Sequence, residues 1–246
     1  MQKLRKIISA ALVVATLLCA LASCGKKTDP QGLIATANAA LNEDVYGMKV
    51  LVKYESESEE MKAAISSFSS PLILVEVDKD SFKAVMETQK DLDIHYVNYT
   101  YSDGVLYTEW YENGATVKEQ IPVGHVEKAE LLATYGGGAG IGAEDFDVVV
   151  AEKVKGVDVV TCTVIQDEPL ESLIGSLDEQ LATVMNADVA IKDVTLVLEI
   201  EDGKYKLATL NCVYFITTGS GSYSVTMTYT TEFTYGAESK LTDPAA

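Results

Sequence analysis

Tyr223-Ser224-Val225-Thr226-Met227-Thr228-Tyr229-Thr230-Thr231-Glu232-Phe233-Thr234-Tyr235 decides the fold. Its large apolar residues Tyr223, Val225, Met227, Tyr229, Phe233 and Tyr235 alternate with Ser224, Thr226, Thr228, Thr230, Glu232 and Thr234. A period of two with one polar face predicts a long antiparallel strand that is wet on one side. Upstream, Val194, Leu196, Leu198 and Ile200 repeat the pattern, and residues 205–217 lie between the two runs. Asp202-Gly203 and Gly219-Ser220-Gly221 carry tight-turn chemistry, so the region reads as a three-stranded meander.

Further strands are expected at 46–54, 72–77, 84–88, 94–101, 105–111, 116–121, 148–154 and 157–165. Ser102-Asp103-Gly104, Glu112-Asn113-Gly114 and Lys155-Gly156 supply turns between them. Short helices are expected at 33–41 and 126–134. Another is expected after Ser56-x-x-Glu59, which has the spacing of a capping box, with Met61, Ala64, Ile65 and Phe68 on one side. A longer helix is expected behind Asp167-Glu168-Pro169, with Leu170, Leu173, Ile174, Leu177, Leu181, Val184 and Met185 at steps of three and four. The fold class is therefore α+β: a large curved antiparallel sheet, a half-barrel, with several helices packed on or covering one face. Residues 31–236 form one domain, and 237–246 a loose tail.

The chain opens with Lys3, Arg5 and Lys6, then an apolar run from Ile7 to Leu18 and small residues ending Leu21-Ala22-Ser23-Cys24. This is the order of an export signal. Leu21-Ala22-Ser23 before Cys24 resembles the lipobox of bacterial lipoproteins. That resemblance implies cleavage after residue 23, fatty (palmitate-type) chains on Cys24, and a body held by its lipid on the extracytoplasmic face of the cell membrane, in a Gram-positive type of bacterium. Residues 24–30 would be the lipidated cysteine and an extended tether. Cys19, behind Leu17-Leu18, is a poor site for such chemistry.

Composition narrows the function further. Three of the 19 Lys and Arg residues lie in the signal, so the remaining 16 face 37 Asp and Glu, a net charge of −21 after cleavage. Such a surface repels nucleic acid and anionic lipid headgroups. Cys162 and Cys212 each sit among apolar neighbours in an expected strand; they read either as a disulfide or as buried thiols acting as small hydrophobes. His95 and His125 lack a partner at metal-ligand spacing, and no serine or cysteine nucleophile motif is present. The glycine-rich 136–142 run lacks the Lys-Ser/Thr of a phosphate loop. Asp91, Asp93, Glu144, Asp145 and Asp147 lack calcium-loop spacing. The expectation is a non-enzyme with no cofactor and no metal.

The element order and long alternating strands also resemble the LolA/LppX-type lipoprotein fold. The resemblance implies a cavity between sheet and helices that takes an apolar small molecule or lipid. Its wall is expected from Met61, Ile65, Phe68, Met227, Tyr229 and Phe233. The alternative is a structural or adhesion module that contacts an envelope protein or wall polymer through Tyr96, Tyr99, Tyr101, Tyr107, Trp110 and Tyr111.

Overall fold

The structure, a computed structural model, describes residues 29–43, 45–65, 72–90, 93–112, 114–124, 126–128, 130–132, 146–164, 187–219, 221–236 and 240–241. The lipobox, the glycine-rich run, Phe68, His125 and the expected helix over 170–185 lie outside these residues.

Eleven strands form a single antiparallel sheet. They are β1 (Tyr46–Ser56), β2 (Leu72–Val77), β3 (Phe82–Lys90), β4 (Asp93–Ser102), β5 (Val105–Glu112), β6 (Ala115–Pro122), β7 (Phe146–Val154), β8 (Val157–Val164), β9 (Asp188–Glu201), β10 (Lys204–Thr218) and β11 (Gly221–Tyr235). Their order is β6-β5-β4-β3-β2-β1-β11-β10-β9-β8-β7. Two meanders, each running in sequence order, are joined where the first strand pairs with the last, from Tyr46 opposite Tyr235 to Ser56 opposite Val225. The sheet is open and curved, as a half-barrel is.

Local chemistry explains the hairpins. Asp103-Gly104, Lys155-Gly156 and Asp202-Gly203 all have positive φ at both residues, the conformation whose twist matches that of the flanking strands. Gly203 also lies under the first helix: a Cβ there would meet Thr36 Cγ2 at 3.2 Å.

β9 begins earlier than the even-numbered apolar run suggests. Val189 and Ile191 are odd, whereas Val194, Leu196, Leu198 and Ile200 are even. A register shift at 192–193, with Asp193 at φ 52°, changes the phase. A bulge of this kind turns both sets toward the same face. A second shift beside Lys206 does the same for Tyr205 and Ala208.

Among the described residues two helices with full bounds stand beside the sheet, and residues 128 and 130–132 are helical as well, within the third stretch expected as a helix. In α1 (Pro30–Glu43), Pro30 occupies the first helical turn and Asp29 Oδ1 accepts from Gln31 N–H at 3.2 Å. Pro30 therefore opens a helix rather than ending an extended tether. The inward face of α1 carries Ile34, Ala37 and Leu41. α2 (Glu59–Ile65) differs from the expected capping box: Ser58 Oγ, not that of Ser56, accepts from Met61 N–H at 3.3 Å. Ser56 Oγ instead donates to Ser224 O at 2.7 Å, tying β1 to β11. In the region expected as a third helix, Leu131 and Leu132 are buried. No described helix is long and apolar enough to cross a membrane. In the expected tail, Leu241 N–H donates to Glu76 Oε2 at 3.3 Å.

Candidate functional site

One row of register partners crosses the whole sheet: Val117, Trp110, Val97, Met86, Ile73, Val50, Thr231, Ala208, Leu198, Val160 and Ala151. Directly opposed residues share a face, so this one row of the inner face is apolar apart from Thr231 at its centre, while the neighbouring row carries Thr108 and Glu119 on β5 and β6. Burial is uneven along this row. From Ile73 to Val160 every member is buried, whereas Met86, Val97, Trp110 and Val117 are half exposed. Tyr99 and Tyr101, on the same face of β4, are also half exposed.

The buried side carries two hydrophobic clusters. Met61 and Ile65 of α2 pack in one cluster with Val52, Cys212, Tyr214, Ile216, Val225 and Met227. Tyr214 O–H donates to Met227 Sδ at 3.7 Å. Of the residues expected to line a pocket, Met61, Ile65 and Met227 are therefore core, and Tyr229 and Phe233 bridge this cluster to a second one. The second cluster gathers Val75, Val77, Phe82, Ala84, Leu106, Leu131 and Leu132. The half-exposed apolar surface lies farther along the sheet, on β3–β6. Three of its residues, Tyr99, Tyr101 and Trp110, belong to the aromatic group expected as a surface patch, because β4 and β5 carry aromatics on both faces and alternation alone does not say which face turns inward. Only Tyr96, Tyr107 and Tyr111 of that group face outward; Tyr107 and Tyr111 are 41% and 58% exposed. The tyrosine-rich surface is thus split between two faces.

Cys162 and Cys212 are both buried, and neither is in a disulfide. β9 separates Cys162 on β8 from Cys212 on β10. Two strand spacings amount to roughly 9.5 Å, beyond the span a disulfide bridges. The disulfide alternative is excluded on this geometry. Burial pushes the Cys162 thiol up to about 12, which keeps it un-ionised and poorly nucleophilic at neutral pH.

Phenols concentrate on the inner face. Tyr205 O–H donates to Asn38 Oδ1 at 2.9 Å, fastening β10 to α1. The rings of Tyr205 and Phe233 are 5.6 Å apart, those of Phe233 and Tyr46 6.5 Å, and those of Tyr46 and Tyr235 6.4 Å. Lys204 Nζ sits 4.9 Å from the Tyr235 ring centre. Burial raises Tyr46, Tyr54 and Tyr229 to about 12, with the neighbouring Cys212 adding to the rise at Tyr54. Tyr205 moves in the same direction through burial first, then through Cys162 and Tyr235.

These shifts fix a pH dependence. The folded phenols stay neutral where unfolded ones, near pH ~10, would ionise. Their contribution to stability is complete below the unfolded value and disappears as pH climbs through the folded one. We expect cooperative alkaline unfolding between pH 10 and 12, with phenolate absorbance and loss of strand circular dichroism rising together. Complete phenolate titration near pH ~10 with the sheet intact would contradict it.

No group of three or more His, Cys, Asp or Glu among the described residues is placed to hold a metal ion. His95 stands on β4 opposite Thr88.

No protein-family model and no curated protein matches the chain. Among solved structures it is similar to LprF from Mycobacterium bovis, at 14% identity and a TM-score of 0.41, over 89% of this chain and 98% of that one. It is also similar to the ywiB protein from Bacillus subtilis, at 9% identity and a TM-score of 0.19, over 79% and 93% of the two chains. Both scores are below 0.5, so neither likeness bears on what this chain binds.

Proposed function

We propose that this protein is a non-catalytic lipoprotein, attached through Cys24 to the outer side of the cell membrane, that binds an apolar small molecule or lipid on the inner face of its half-barrel. One observation supports the binding reading above others: the eleven-residue apolar row is sealed at its centre and on the β8 side, yet half exposed at Met86, Val97, Trp110 and Val117. A soluble domain gains by covering such a surface. An acyl chain or similar ligand laid across β3–β6 covers it. The adhesion reading has less support, since only three of its six aromatics face outward.

Trp110 is the sole tryptophan of the chain, so its emission reports on this surface. In a soluble form beginning after Cys24, titration with parinaric acid, a fluorescent fatty acid, is expected to quench that emission saturably. Met86→Glu places a carboxylate among the apolar partners Ile73 and Val97 and is expected to weaken binding about 10-fold or more. Native mass spectrometry of the same protein should show co-purified lipid. Absence of both saturable quenching and bound lipid would remove the binding reading.

A further inference from the structure

We infer that the half-exposed inner face of β4–β6 receives the head of a cationic amphiphile, a quaternary ammonium on an apolar chain, in preference to a fatty anion. This rests on the binding reading above and names the head group that the ligand presents. Beside the row that contains Trp110 and Val117 runs a second row of register partners: Glu119, Thr108, Tyr99, Ala84 and Val75. Its character changes along its length. Glu119, on the outermost strand, is exposed, Thr108 and Tyr99 are half exposed, and Ala84 and Val75 are buried. An amphiphile laid along this gradient has its polar end at β6 and its chain toward β3.

The residues around that polar end decide its charge. Glu119 is flanked along β6 by Val117 and Ile121, which face Trp110 and Leu106 on β5. It therefore shares a face with Trp110 and stands on the diagonal from it, about 7–8 Å away and within reach of long side chains. Tyr99 continues the same row one strand farther in, opposite Thr108. A carboxylate accompanied by tryptophan and tyrosine rings is the combination that attracts a quaternary ammonium. An anionic head meets the opposite conditions. Among the described side chains of β3–β6, none on the inner face is basic. Lys83 and Lys118 alternate onto the outer face, where Lys118 pairs with Glu109. The net charge of −18 acts in the same sense, enriching cations and repelling anions near the protein.

The test is isothermal titration calorimetry on the soluble form beginning after Cys24, which keeps every described residue. It compares decyltrimethylammonium with decanoate, chains of matched length, each held below its micelle concentration. The ammonium is expected to bind at least ~5-fold more tightly, from an exposed cation–aromatic contact and an exposed ion pair together. Glu119→Gln is expected to bring that ratio below ~2-fold, weakening the ammonium and tightening decanoate. Glu87→Gln removes the same charge from the outer face of β3 and is expected to leave the ratio as it was. Trp110→Leu keeps an apolar surface without the ring, and is expected to weaken the ammonium about 2–5-fold more than decanoate. Equal affinity for the two probes, or an equal change of ratio in Glu119→Gln and Glu87→Gln, overturns the inference while the binding reading stands. Binding of neither probe overturns both. Should Trp110→Leu fail to fold, the unaltered protein and the exposed Glu119 still decide.

Discussion

Phe82→Ala is expected to lower stability by about 3–5 kcal/mol, the usual range for truncating a buried phenylalanine. Phe82 begins β3, faces Val77 on β2 and Tyr101 on β4, and is almost fully buried. Its ring stacks on that of Tyr101 with centroids 5.7 Å apart. Leu106, Leu131 and Leu132 belong to the same cluster, so a cavity there draws on three separate segments. For a chain of this size, each kcal/mol moves the melting temperature by roughly 2–4 °C, so a fall of about 10 °C or more is expected. Tyr107→Ala on the exposed outer face should change stability by no more than about 0.5 kcal/mol. Thermal unfolding followed by circular dichroism checks both. A Phe82→Ala loss under ~1 kcal/mol would mean that this cluster does not hold the β2–β5 half together.

Cys24→Ser is expected to move the protein from the membrane to the soluble fraction. Under the proposed reading, attachment depends on acyl chains bonded to that sulfur, each buried methylene contributing about 0.8 kcal/mol. With the chains gone, a body with 37 acidic residues has no electrostatic reason to stay near anionic headgroups. Cell fractionation with and without the substitution measures this, and mass spectrometry of the N-terminal peptide should find the lipid only in the unaltered protein. A Cys24→Ser protein that still sediments with membranes would falsify the anchor.

Much of the sheet was legible because its rules are local. Period-two alternation marked the long strands of the C-terminal meander, and Asp-Gly or Lys-Gly at positive φ marked three of the hairpins. The pairing of β1 with β11 was not legible, because β11 begins 165 residues after Ser56 and nothing local records which distant strand a strand will meet. The first half of β9 was missed because the bulge at Asp193 switches apolar residues from odd to even positions. Ser56 and Ser58 both sit where a cap is plausible; Ser58 caps the helix, while Ser56 ends β1, donating to Ser224 O and accepting from Ser58 N–H.

The candidate site was harder to read than the fold. Met61, Ile65 and Met227, expected to line a pocket, are buried, and an apolar stripe does not say whether it meets a helix or open space. That depends on where α1 and α2 land: α1 against β10 and β7, α2 against β1. The half-exposed stretch on β3–β6 follows from this landing, not from any motif in Trp110 or Val97.

The meeting of β1 with β11 also orders events during synthesis. A ribosome releases β1 among the first strands and β11 last, and until then the molecule has two half-sheets with no ladder between them. Loop closure over such a span is slow, so the nascent polypeptide stays unzipped down its middle until β11 has been made. Under the proposed export such a delay is an advantage, because the final hydrogen-bonded seam cannot close before β11 has emerged.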